Sequence, residues 1–180
     1  PIPEVTNATE WENLTTGAWC YMNNDPTNAR LYNWFAVMGI HDTDPNTPNK
    51  EFVPEGWHVP SDAEWTTLEE YLIANGYNYD GTITTYNKIA KAMASTTGWR
   101  SSTDLGAIGN DQSLNNSSGF NAFPQGRRWT SFVDLTQDAI FWNSTELSTT
   151  MARGLRSYYS SLVYIYSYKW YGYSVRFVRD

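Results

Sequence analysis

A chain of 180 residues with 41% hydrophobic content is long enough to bury one core without metal or disulfide support, and it reads as a single domain over residues 1–180. The formal net charge of −7 disfavours nucleic acid and anionic membrane as partners, and no apolar window of the roughly 18 residues that a bilayer span needs is present, so no membrane insertion is expected. Aromatic residues are 16% of the chain and charged ones 17%, with nine tryptophans, which predicts a core of rings whose indole N–H groups need partners.

In chain order, residues 1–10 carry two prolines and read as a tail or edge strand. Cys20 is the chain's one cysteine, so no internal disulfide or Cys-rich metal site is possible, and it reads as a small buried hydrophobe. The run from Arg30 to Met38 reads as a strand or short helix ending at Gly39, and the stretch His41 to Pro54, with three prolines, as a loop. Oxygen ligands in His41-Asp42-Thr43-Asp44-Pro45-Asn46 would suit calcium, yet the glycine and distant glutamate of an EF-hand loop are absent, and Asp-rich turns are usually only solvated turns. Ser61 and Glu64 form a capping box before the helical spacing Trp65, Leu68, Leu72, Ile73, which predicts a helix over 62–74. A second helix is predicted over Thr85–Ser95 from Ile89, Ala90, Met93 and Ala94, with Gly98 ending it. Residues Ser101–Phe123, rich in Ser, Asn, Asp and Gly, read as a long loop.

Strands are then predicted over 127–132, 139–142, 151–157, 162–168 and 173–178, giving an α+β domain. Seven of thirteen tyrosines fall between Ser157 and Tyr173, among four serines and Trp170. Such a mixture supplies rigid amphipathic contact area with adaptable hydrogen bonding and suits recognition more than chemistry. Val163, Ile165 and Ser167 alternate with Tyr164, Tyr166 and Tyr168, so a period-2 strand would present a tyrosine row on one face and a packed row on the other. A strand of aromatics buried on both faces is the competing expectation. His41 and His58 lack any Cys, Ser or second His at ligand or triad spacing, and Glu64, Glu69 and Glu70 on one helix are explained by capping and exposure, so neither a catalytic nor a metal site is expected.

Five ordered motifs run along the chain: Arg30-Leu31-Tyr32-Asn33-Trp34, Gly56 through Trp65, Ser118-Gly119-Phe120-Asn121-Ala122, Phe141 through Glu146, and Gly172 through Asp180. Together they resemble the Fibrobacter succinogenes major paralogous domain family, from about Trp11 to the end. The resemblance implies a bacterial surface or secreted module with a C-type-lectin-like fold, two helices packed on small antiparallel sheets with long irregular loops, as in the formylglycine-generating enzymes. Phe177 and Val53 stand where many relatives carry cysteine, so the disulfides implied there are not available. The paired cysteines of the formylglycine-generating enzymes are missing, and so is the Glu-Pro-Asn and Trp-Asn-Asp signature of calcium-dependent lectins, to which Trp142-Asn143-Ser144 is the nearest approach. Neither that enzyme activity nor a cofactor is therefore expected. The position of the Tyr/Ser run also resembles the hypervariable segment of retroelement-diversified lectin-like proteins. Adenine-directed change at Asn codons yields Tyr and Ser but not Lys or Trp, so Lys169 and Trp170 would be constant or come from other codons.

These features predict a non-enzymatic binding domain on a bacterial surface, secreted, or on a phage tail. A protein or glycan ligand would meet Arg153, Arg156, Ser157, Tyr158, Tyr159, Ser160, Tyr164, Tyr166, Tyr168, Trp170 and Tyr171. The alternative is a structural adhesin or pilus assembly module in which the same aromatics bury against a fixed neighbour.

Overall fold

A computed structural model describes residues 1–84, 86–146 and 150–180. Asn7 caps the short helix α1 (Ala8–Glu12) by accepting from the Glu10 amide. Strand β1 (Trp19–Tyr21) pairs antiparallel with β2 (Arg30–Tyr32), and Asn33 then caps α2 (Trp34–Val37) by accepting from the Ala36 amide, so the run from Arg30 is strand first and helix second. β3 (Trp57–His58) leads into α3 (Asp62–Ala74), where the Ser61/Glu64 capping box forms as the spacing predicts. After α4 (Ala90–Met93) come β4 (Gln125–Arg128), β5 (Phe132–Leu135), β6 (Asp138–Glu146), β7 (Thr150–Arg156), β8 (Val163–Ser167) and β9 (Val178–Arg179).

Five of these strands form one sheet in the order β5-β4-β6-β7-β8. Its neighbours are antiparallel except β4 beside β6, so the main sheet is larger and more mixed than the small antiparallel sheets expected. On one face Ala139, Phe141 and Leu155 pack with Trp65, Leu72 and Ile73 of α3 and with Ile89 and Met93 near α4. On the other, Ile140, Trp142, Ala152 and Ile165 pack with Trp34 and Val37 of α2 and with Tyr173. A third cluster joins Val5 and Trp11 to Cys20 and Leu31, and burial raises the Cys20 thiol pKa. The indoles of Trp19, Trp34, Trp99 and Trp142 donate to oxygen acceptors, whereas the buried N–H groups of Trp11 and Trp65 have no partner among the described residues.

Four expectations are corrected. The N-terminal tail is half edge strand, with Glu4 bridging Trp19 in parallel, and half the unforeseen α1. The second helix shortens to α4 because tertiary bonds claim the backbone before it: Asn87 exchanges two hydrogen bonds with the Leu162 backbone (2.9 and 3.1 Å), and the Lys88 amide donates to Asn78. Thr85, where that helix was expected to begin, lies outside the described residues. The strand over 127–132 is a hairpin, turning at Trp129–Ser131 where the Trp129 amide donates to the Ser131 carbonyl. Gly126, at φ +66°, makes that hairpin's close approach possible, since a Cβ there would sit 2.6 Å from the Val133 carbonyl oxygen. The last strand is reduced to β9; Gly172, Tyr173 and Ser174 instead bridge Arg128, Tyr32 and Phe141 singly, stitching the tail across the sheets.

Candidate functional site

The edge strand β8 alternates as its sequence dictates: Ile165 and Ser167 are buried, while Tyr164 and Tyr166 point out. Ile165 anchors the strand in the core beside Ala152, its cross-strand partner on β7. The exposed tyrosines extend beyond the strand at both ends, with Tyr158 at 44%, Tyr159 at 41%, Tyr164 at 49%, Tyr166 at 65% and Tyr168 at 66% exposure. Trp170 and Tyr171 are half-buried and Tyr173 is core. Tyr173 shares a 2.6 Å hydrogen bond with the Ser167 hydroxyl, and burial pushes its phenol up to about 12.

Two of the residues expected at the surface are corrected to interior supports. Arg153 is 0% exposed. Its Nε donates to Asp62 (2.9 Å), Nη1 to Glu69 (3.1 Å) and Nη2 to the Thr66 hydroxyl (2.9 Å), tying β7 to α3, and the Tyr164 ring lies 3.5 Å above its guanidinium. Arg153 thus holds Tyr164 in place and does not itself face outward. Ser157 is buried as well, its carbonyl accepting from the Gly109 amide at 2.7 Å. Arg156 is half-buried, with Nε 3.7 Å from the buried Asp138, whose carboxyl is pushed up to about 6 by desolvation against the pull of Arg156 and Arg127. Ser160 sits half-exposed in the turn before β8.

The backbone of this segment is fastened from outside. The Ile108 amide donates to the Tyr159 carbonyl, the Ala90 amide to the Ser160 carbonyl, and the Trp34 amide to the Lys169 carbonyl, at 2.9 to 3.2 Å. Arg128 and Gly172 exchange two further backbone bonds. None of these bonds uses an outward side chain of the Tyr/Ser run. The side chains form two aromatic groups: Tyr158 and Tyr159 meet edge to face at 4.6 Å, and at the other end Tyr168 lies parallel to Trp170 while Tyr171 stacks on Trp129 at 5.8 Å. Trp129 joins this surface from the β4–β5 turn, itself capped by Arg127 at 4.9 Å. The signal for Trp129 in the sequence is slight, because Ser131 is the one usual turn residue in Trp-Thr-Ser.

His58 lies between two carboxylates, with Nδ1 2.6 Å from Asp180 and Nε2 2.6 Å from Glu64, so when protonated it donates from both nitrogens and ties the residue after β9 to the start of α3. Asp42 and Asp44 accept from amides two residues on, as turn-forming aspartates do. Among the described residues no group of three or more His, Cys, Asp or Glu side chains is placed to hold a metal ion, and no helix is long and apolar enough to cross a membrane.

The model of the Fibrobacter succinogenes major domain family matches residues 1–179. No curated protein and no solved structure matches the chain.

Proposed function

The chain belongs to the Fibrobacter succinogenes major domain family, and from that premise we propose that it is a non-enzymatic binding domain of C-type-lectin-like fold, on a cell surface, secreted or on a phage tail, recognising a protein or glycan through the tyrosine edge. The observation that carries this reading is the separation of roles in residues 157–172: outward tyrosines on a backbone fastened by bonds from residues 34, 90, 108, 109 and 128. Such an arrangement leaves contact side chains free to differ while the frame stays fixed, which is what a retroelement-diversified surface requires. Tyr158, Tyr159, Tyr164, Tyr166 and Tyr168 make the contacts, Trp170, Tyr171, Ser160 and Arg156 border them, and Arg153 works from beneath. Exposure of five tyrosines counts against a run buried in the chain's own core; an assembly module would cover the same face with a fixed neighbour, and a ligand that binds the isolated domain there separates the two.

An array of bacterial surface proteins and glycans supplies the test. Alanine at Tyr164, Tyr166 or Tyr168 is expected to weaken a ligand found there by about 1–4 kcal/mol each. Unchanged affinity across the set would refute the surface. Sibling sequences from the same genome are expected to differ at the outward positions and to agree at Arg153, Ile165, Lys169 and Trp170; identity throughout 158–168 would remove diversification from the account.

A further inference from the structure

Away from the tyrosine edge, a cavity of about 300 Å³ opens between β2, the segment 121–125 and residues 174–176. Two arginines line it, and neither has a carboxylate within ion-pair distance among the described residues. Arg100, Arg128 and Arg179 also lack such a partner among the described residues, whereas Arg127, Arg153 and Arg156 lie near acids; what matters for Arg30 and Arg176 is that they line one cavity together. Each of the two is instead held by an aromatic face. The Arg30 guanidinium lies 4.3 Å over Trp19, with a long contact of 3.4 Å to the Tyr21 hydroxyl and Tyr32 also beside it, and that of Arg176 lies 4.4 Å over Phe120. Stacking occupies the face of a guanidinium and leaves its edge donors free.

The remaining polar lining adds donors and no charge to oppose them. Gln125 uses its carbonyl to accept from the Ala29 amide at 3.4 Å, which leaves its NH₂ uncommitted, and the Asn121 and Ser174 side chains make no hydrogen bond among the described residues. A cavity with two unpaired guanidiniums and spare amide donors selects an anion. Arg176 also borders a second, apolar cavity of about 150 Å³ walled by Trp65, Leu68 and Phe120. Glu64 lies on that second cavity, but its oxygens are committed to His58 and to the Ser61 amide and hydroxyl.

We propose that these two cavities, which share Arg176 as a wall, together bind a carboxylate that carries a short apolar group, the carboxylate between Arg30 and Arg176 and the apolar group against Trp65. A free organic acid and the C-terminal hydrophobic residue of a peptide share this chemistry. None of the lining residues belongs to the run 157–173, so the site is independent of the tyrosine edge.

Amide chemical shifts of the whole chain, followed during titration with phenylacetate and with N-acetyl-leucine, test this against phenylacetamide and N-acetyl-leucinamide. The expected result is a saturable shift of the Asn121, Ser174 and Arg176 amides with an acid and none with the amides. Binding of N-acetyl-leucine alone would identify a peptide terminus, and binding of both would identify free acids. Arg30 and Arg176 are both exposed, so R30Q and R176Q are expected to melt as the parent does and to weaken binding at least about tenfold, with R176K intermediate. No saturable shift with either acid, amides that bind as well as acids, or glutamine variants that bind as the parent does would overturn the proposal.

Discussion

Arg153 shows how a single side chain can serve a surface it never reaches. Its three donor groups bridge β7 to α3, and its upper face carries Tyr164. Removing it leaves Asp62 and Glu69 facing a void, so Arg153→Ala is expected to cost about 3–5 kcal/mol in chemical denaturation. Tyr166→Ser, at an outward position without such duties, is expected to stay within about 0.5 kcal/mol of the parent. A comparable loss in both variants would show that the tyrosines carry the fold. In the sequence Arg153 and Arg156 look alike, two basic residues three apart beside an aromatic run. Only the register, which puts Arg153 opposite Tyr164 and beneath α3, separates a buried strut from a half-exposed neighbour.

At the scale of elements, legibility followed how locally each one is determined. α3 is written in its own residues: a capping box, an apolar stripe and a stop at Gly76. Ser61→Ala is accordingly expected to lower stability by about 1 kcal/mol through the lost cap, read from the denaturation midpoint, while an unchanged midpoint would mean that Glu64 and His58 alone fix the helix start. The period-2 pattern of β8 was equally readable, with Tyr164 and Tyr166 outward. What could not be read is what tertiary partners impose. Asn87 spends its side chain on the Leu162 backbone and cuts the second helix short, and the β4–β5 turn closes on Trp-Thr-Ser, in which Ser131 alone is a usual turn residue. Trp129 was lost to the candidate surface for the same reason, since its stacking on Tyr171 depends on that turn.

For the whole molecule, the shifted titrating groups put the expected stability maximum at mildly acidic pH. Asp80 is held down to about 2, first by Lys88 and then by Thr82, so its contribution is present above its ordinary 3.8 and lost on acidification toward 2. Burial works against Glu64, yet the Ser61 amide and hydroxyl with His58 keep it below its ordinary value, and its contribution too is lost as pH falls. Asp138 has the opposite sign: burial raises it from 3.8 to about 6, so the folded state loses stability as pH climbs through that interval. His58 is raised by its hydrogen bonds to Asp180 and Glu64, so the clamp it makes is fully present below 6.5 and is lost as pH rises through its elevated folded value. The melting temperature is therefore expected to peak near pH 4–5, and His58→Gln to flatten the alkaline side of the profile. A melting temperature that rises steadily to pH 8 would contradict both assignments.

The same whole-molecule division, a fastened backbone beneath free tyrosines, is the centre of the functional account. The measurement that tests it most directly compares the parent with a variant bearing serine at Tyr158, Tyr159, Tyr164, Tyr166 and Tyr168, scoring melting temperature and ligand binding on the same preparation. The account predicts a variant that melts within a few degrees of the parent and binds none of the parent's ligands. A variant that unfolds, or one that folds and binds as the parent does, would contradict it.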